Sequence, residues 1–286
     1  MRTEADTEAQ ESSKTKIHSF YKAGDNRKMM RKFKCIAAVI SLALILAIIP
    51  GCGRKESKYS YRDTGIEALN AGNYDEAIEA FDRAIDSSKG LVRKFDKDVL
   101  KYKAEAQYLS KDYSAAAETY GILLEVDGER AEYYNMRTVS RAGAGDFNGA
   151  LEDYEKGDEL DPQKQAPGRL EALLAAGSAM EEEEETDKAM ALYQEALESG
   201  TQSAQLYNRM GLCEMADEKW DEAIEYFTKG LAAPDSSQAA ELLFNEAVAN
   251  ERKGDFKKAL DFMQQYVSAH GPDEEAEREI TFLKTR

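Results

Sequence analysis

One short segment recurs along the chain and limits the folds available to it. Residues 72–85 have the sequence GNYDEAIEAFDRAI, and five degraded copies follow toward the C-terminus. Every copy keeps one alanine, and consecutive alanines are 39, 34, 39, 34 and 36 residues apart. These alanines are Ala77, Ala116, Ala150, Ala189, Ala223 and Ala259. A period of roughly 20 to 50 residues is typical of stacked supersecondary units, so a repeat protein is predicted.

A 34-residue frame with the shared alanine at position 20 predicts two helices per unit. Positions 4 and 24 are large and apolar or aromatic in all six units, and position 8 is small in five of them. Position 4 holds Tyr61, Leu100, Tyr134, Leu173, Tyr207 and Leu243, and position 24 holds Phe81, Tyr120, Tyr154, Tyr193, Phe227 and Met263. Apolar residues recur at i, i+3, i+4 and i+7, and turn signals such as Gly72-Asn73 separate the two stretches. The small residues allow a close helix approach, and the large ones fill the groove between the helices.

With these positions the chain resembles the tetratricopeptide-repeat (TPR) family, whose 34-residue helix-turn-helix units share this pattern. The resemblance implies an all-α, right-handed α-solenoid of about six units over residues 58–286. The units are expected near residues 58–91, 97–130, 131–164, 170–203, 204–237 and 240–271. Residues 272–286 begin with proline and acidic residues, as helices often do, and are expected to form a C-terminal capping helix.

The third unit departs from the pattern. Arg137 and Thr138 occupy frame positions where apolar and small residues are expected. The sequence therefore predicts looser packing between the second and third units.

Charge is distributed unevenly over the 286 residues. The formal net charge is −17, yet residues 1–51 contain 9 basic and 5 acidic side chains. The remainder contains 29 basic and 50 acidic side chains. A body this acidic argues against a nucleic-acid partner, because the phosphate backbone requires basic contacts.

The N-terminal residues have the features of a secreted protein. Residues 1–28 are polar and lack a hydrophobic period, so they are predicted to be disordered or to precede the true start at Met29 or Met30. Residues 29–51 combine a basic segment with an apolar run over residues 35–49 and small residues after it. This combination is typical of a secretory signal peptide.

The end of this signal, Ile49-Pro50-Gly51-Cys52, resembles a bacterial lipobox. The resemblance implies cleavage before Cys52 and its lipidation, leaving residues 52–57 as a short tether. The predicted location is the outer face of the bacterial cytoplasmic membrane. The alternative is an uncleaved single N-terminal transmembrane signal anchor, for which the apolar run is short. Both interpretations place the repeats outside the cytoplasm.

The sequence offers no combination of residues typical of catalysis. It contains two histidines, no metal-ligand spacing and no phosphate-binding glycine loop. Cys213 lies at frame position 10, inside the helix pair, and is predicted to be a buried core residue. We therefore expect no enzyme activity, no cofactor, no metal site and no small-molecule substrate.

The family resemblance points instead to protein binding. In TPR proteins, peptides lie along the concave face at positions such as 2, 5, 6, 9 and 12 of the first helices. Transferred to this chain, positions 5 and 6 supply the partner-binding candidates Arg62, Lys101, Asn135, Asn208, Arg209 and Asn245. Amides can hold an extended peptide backbone, and basic side chains can bind a carboxylate.

The predicted function is thus a membrane-anchored scaffold or adaptor for an extracytoplasmic protein or peptide. Two alternatives stay open. The polar residues at positions 5 and 6 can simply be the solvated side of amphipathic helices. The protein can also be a structural, self-associating component of the cell envelope without a peptide groove.

Overall fold

The computed structural model describes residues 57–88, 93–235, 238–271 and 273–286. Residues 54–286 make up one compact unit of the chain. The predicted leader (1–28), the predicted signal peptide (29–51) and Cys52 lie outside the described residues. None of the helices in the described ranges is long and apolar enough to cross a membrane.

The described residues form thirteen α-helices and no strand. Twelve of the helices make six consecutive pairs, and the thirteenth follows the last pair, as predicted. The helices are α1 Lys58–Ala71, α2 Tyr74–Asp86, α3 Lys94–Leu109, α4 Tyr113–Asp127, α5 Ala131–Ala144, α6 Phe147–Glu159, α7 Arg169–Glu182, α8 Thr186–Glu198, α9 Ala204–Ala216, α10 Trp220–Leu231, α11 Ala239–Lys253, α12 Phe256–His270 and α13 Glu274–Leu283.

A residue in the left-handed backbone conformation follows the first helix of each pair. Gly72 has a φ of 80° and donates its N–H to the carbonyls of the last turn of α1. Glycine adopts this conformation without steric cost, and it is the usual residue just after a helix. Three other pairs use Lys111, Glu184 and Glu218 instead, with φ values of 70°, 62° and 60°. Glycine signals therefore mark only some of the turns.

The frame positions that the six repeats share form the core. All six shared alanines are fully buried, as are Phe81, Tyr193 and Phe227 at position 24. The aromatic ring lies directly against the small residue at position 8. A Cβ atom added at Gly211 would approach the Phe227 ring to 2.3 Å. The prediction that small residues provide room for the large ones is confirmed.

Successive pairs stack through the second helix of one pair and the first helix of the next. The predicted weakness between the second and third units is wrong, because α4 and α5 pack closely. Arg137 is satisfied by Asp153 on α6, with Nε and Nη2 donating over 2.7 and 2.6 Å. The Thr138 hydroxyl donates to the Tyr134 carbonyl over 3.0 Å. Polar residues at these positions are thus accommodated without opening the junction.

Both ends of the described solenoid are closed. On α1, exposed Ser60, Thr64 and Glu67 occupy the helix face that is buried and mainly apolar in later units. At the other end, α13 covers α12 and buries Ala276 and Leu283. The described solenoid therefore has a mainly polar outer face on α1 and a helix packed over its last pair, as terminal units of a repeat array do.

Candidate protein-binding face

Neighbouring first helices contact one another at most of the junctions between the pairs. Neighbouring first helices approach each other at α1–α3, α5–α7, α7–α9 and α9–α11. No neighbouring pair of second helices makes comparable contact in the described part of the chain. The first helices are therefore the more closely packed layer of the described solenoid. We call the surface at frame positions 5, 6 and 9 of these helices the inner face.

Two of the predicted binding residues, Arg62 and Lys101, are at least partly exposed on the inner face. Arg62 donates from Nε and Nη2 to Asp63 over 3.0 and 2.8 Å, and its Nη1 lies 3.7 Å from Asp98 of the next unit. Lys101 pairs in the same way with Glu132 of the next unit over 3.3 Å. In both pairs, position 5 of one unit meets position 2 of the next. These partly exposed ion pairs link successive first helices, and pairs of this kind add little stability.

The three predicted asparagines make hydrogen bonds within the chain. Asn135 is only 3% exposed, and its amide donates to the Pro167 carbonyl over 2.9 Å. Asn208 is 8% exposed and accepts from the Asn245 amide over 2.8 Å. Each bond joins a first helix to the next unit or to the segment just before it. The structure thus directs these amides toward neighbouring units.

Arg209 belongs to a partly buried network between the fourth and fifth units. Its Nη2 donates to Glu181 over 2.6 Å, and the Tyr193 hydroxyl donates to the same carboxylate over 2.7 Å. Cys213 approaches the carboxylate to 3.6 Å. Burial, together with the charge of Glu181, raises the pKa of the Cys213 thiol. The cysteine is therefore a buried thiol, as predicted, and thiols held in this form are poor nucleophiles.

The sequence-based assignment missed a row of apolar side chains on the inner face. At position 9, four of the six units have a half-buried aliphatic residue. These residues are Ile66, Val139, Leu212 and Val248. Ile66, Leu212 and Val248 pack against the cores of their units, and the remaining accessible part of each side chain faces the inner face. The recurrence of aliphatic residues at position 9 was visible in the sequence.

An electrostatic cluster lies where the second and third units meet. Asp127 accepts from Lys97 over 2.6 Å and from the Tyr133 hydroxyl over 2.6 Å. These two hydrogen bonds lower the pKa of Asp127 to about 2. The carboxylate is therefore charged throughout the physiological range and fixes the end of α4 against α3 and α5. No group of three or more His, Cys, Asp or Glu residues in the described ranges could hold a metal ion.

Comparison with known proteins identifies the repeat type. A family model described as tetratricopeptide repeat matches residues 62–131, and a second with the same description matches residues 202–270. RNA polymerase II-associated protein 3 of Xenopus laevis is 25% identical over 193 residues, which cover 64% of this chain and 28% of that protein. The chain spans about a quarter of the length of the curated relatives that it matches.

Solved structures show the same architecture. A tetratricopeptide repeat protein from Parabacteroides merdae superposes with a TM-score of 0.61 at 15% identity, covering 80% of this chain and 86% of that one. PilW, described as a type IV pilus biogenesis factor, gives 0.62 at 17% identity, covering 77% and 97%. A chain of the APC/C hetero-tetramer Cut9-Hcn1 gives 0.60 at 16% identity, covering 79% and 43%. At these identities the similarity is one of fold.

Proposed function

The chain is a tetratricopeptide-repeat protein, an α-solenoid of the kind that serves as a protein–protein interaction scaffold, and we propose that its partner binds along the inner face. The family is generally non-enzymatic. The proposed partner is an extracytoplasmic protein or peptide, and the proposed scaffold is held at the membrane by a lipid on Cys52.

The position-9 row is the observation that carries this proposal. Ile66, Val139, Leu212 and Val248 recur at position 9 of units 1, 3, 5 and 6, so an extended segment that follows the inner face can contact several of them. Position 9 is polar in the other two units, with Glu105 and Ser178. Half-buried aliphatic groups lose their remaining water contact when a ligand covers them, which favours binding by roughly 25 cal/mol per Å². Arg62 shares α1 with Ile66, Lys101 lies on the neighbouring first helix α3, and both are proposed to bind acidic groups of the partner.

The predicted amides are proposed to act indirectly. Asn135, Asn208 and Asn245 form hydrogen bonds between neighbouring units. In this proposal they therefore position the first helices and do not contact the partner directly. Arg209 is likewise held by Glu181. Specificity within this proposal comes from the aliphatic row and its basic neighbours.

Replacing Leu212 by glutamate is expected to weaken partner binding about tenfold or more, because a carboxylate then takes the place of an aliphatic contact and must be desolvated on binding. The partner is first identified by photo-crosslinking in cells from positions 139 and 212. Its affinity for purified wild-type and Leu212→Glu protein is then measured by titration.

The matched control is Ile122→Glu. Ile122 lies on the second helix α4 and is 45% exposed, so the same kind of substitution should leave the affinity unchanged. Circular dichroism checks that both variants keep the wild-type helix content. Equal affinity of wild type and Leu212→Glu, or capture of the partner from position 122 but not from 139 and 212, would refute the inner-face assignment.

Membrane attachment is a separate part of the proposal. Two acyl chains bind a bilayer firmly, since each buried methylene contributes about 0.8 kcal/mol. The Cys52→Ala protein is therefore expected to move from the membrane fraction to the soluble extracytoplasmic fraction after cell fractionation. Unchanged partition into membranes would instead favour the uncleaved signal anchor.

A further inference from the structure

An aromatic and cationic cluster lies at the N-terminal ends of α1 and α3. Tyr59 is 53% exposed, the largest exposed fraction among the large apolar and aromatic residues of the described part of the chain. Its ring packs edge-to-face on Phe95, with 4.9 Å between the ring centroids. The ammonium of Lys58 lies 4.3 Å from the Phe95 centroid, and the Arg62 guanidinium lies 5.7 to 5.8 Å from both rings.

Three cationic groups beside these rings are available to a ligand. Lys58, Arg93 and Lys94 form no ion pair with a carboxylate in the described part of the chain. Arg93 and Lys94 immediately precede Phe95 and are exposed. The cluster therefore combines an exposed tyrosine with uncompensated positive charge, a composition suited to an interface with one apolar side and one wet, anionic side.

The rest of the solenoid has the opposite charge. Residues 52–103 contain 11 basic and 10 acidic side chains, whereas residues 104–286 contain 18 basic and 40 acidic ones. The two ends of the first helix pair also differ in charge. The cluster lies at one end, and at the other end α2 begins beside exposed Asp75 and Glu76. This end lies about 20 Å from the cluster, the length of α1 at 1.5 Å per residue.

From this arrangement we infer that the cluster of Lys58, Tyr59, Arg93, Lys94 and Phe95 is a contact surface for anionic lipid headgroups. It begins six residues after Cys52. The inference rests on the membrane attachment in the proposed function. Basic residues at an anionic bilayer each contribute attraction, and the acidic remainder is repelled, so the solenoid is held with this end against the lipid and its other units directed away.

The experiment supplies the anchor artificially, so that it does not depend on lipidation in cells. Residues 52–286 are coupled through the Cys52 thiol to maleimide lipid in vesicles containing brominated acyl chains; Cys213 is buried and does not compete. Trp220, the only tryptophan, is replaced by phenylalanine, and Tyr59→Trp serves as the reporter. Quenching of Tyr59→Trp is expected to be about twofold or more stronger in phosphatidylglycerol vesicles than in phosphatidylcholine vesicles.

Tyr74→Trp is the matched control, the same substitution at the far end of the same helix pair, and is expected to show weak quenching in both lipids. Adding Lys58→Gln and Lys94→Gln should abolish the lipid preference of the Tyr59→Trp reporter. Equal quenching of the two reporters, or no dependence on headgroup charge, overturns the inference. A change in Tyr59→Trp fluorescence on addition of an acidic polypeptide, but not on exposure to anionic lipid, also overturns the inference. A negative result here leaves the Cys52→Ala and Leu212→Glu experiments unaffected.

Discussion

Replacing Asp153 by alanine is expected to lower the free energy of unfolding of residues 54–286 by about 3 kcal/mol. Asp153 is 2% exposed and accepts from Arg137 Nε and Nη2 over 2.7 and 2.6 Å. Arg141 makes a second ion pair with this carboxylate, with 3.0 Å between its Nη1 and Asp153 Oδ2. The substitution leaves the partly buried Arg137 guanidinium without its counter-ion, and that uncompensated charge is the source of the loss. Arg141 retains Asp146, 3.4 Å from its Nε. Urea denaturation followed by far-UV circular dichroism measures the loss.

The same substitution at Asp82 is the control. Asp82 also joins two units, through Lys103 over 2.6 Å, but its side chain is 49% exposed. Water replaces the lost partner there, so Asp82→Ala should cost less than about 1 kcal/mol. If the two variants lost similar stability, burial would not be what makes the Arg137–Asp153 pair important. A third variant, Asp153→Asn, keeps the side-chain shape and should fall between them.

The core of this fold could be predicted from the sequence because it depends on the sizes of the side chains at a few frame positions. Ala189 and Tyr193 lie on one helix, four residues apart, and any unit must bury both to close its helix pair. The frame places them without knowledge of other units. Arg137 could not be interpreted in this way, because its stabilising partner lies 16 residues later on another helix. A charged residue at a core position predicts loose packing when its counter-ion is not known.

The roles of the inner-face polar residues also depended on three-dimensional information. The frame placed Asn135 and Asn208 on first helices, but not the groups that they meet. Asn135 bonds to the Pro167 carbonyl, which the five extra residues before the fourth unit bring close. The aliphatic residues at position 9 were, in contrast, accessible from the frame, since Ile66, Val139, Leu212 and Val248 recur at that position.

Truncating Phe227 to alanine is expected to cost about 4 kcal/mol, near the upper part of the range for buried aromatic residues. The ring is fully buried, fills the space left by Gly211, and belongs to a cluster with Leu242 of the next unit. Because Gly211 cannot fill the vacated volume, a cavity remains between α9 and α10. Chemical denaturation of wild type and Phe227→Ala provides the measurement.

The loss should also be local. Each unit of a repeat protein contacts only its neighbours, so weakening one unit can separate its unfolding from that of the others. Trp220 packs against the Phe227 cluster and is the only tryptophan, so its fluorescence reports this region. In Phe227→Ala the fluorescence transition should occur at a lower urea concentration than the loss of total helix seen by circular dichroism.

Phe81→Ala makes the same truncation of a fully buried ring in the first unit. Its cavity lies far from Trp220, so the helix signal should begin to fall before the fluorescence changes, the reverse order of events. Coincident transitions in both variants would mean that the six helix pairs unfold as one cooperative unit. The first helices of distant units would then be rigidly coupled, and a ligand bound at one end of the inner face would stabilise the whole solenoid.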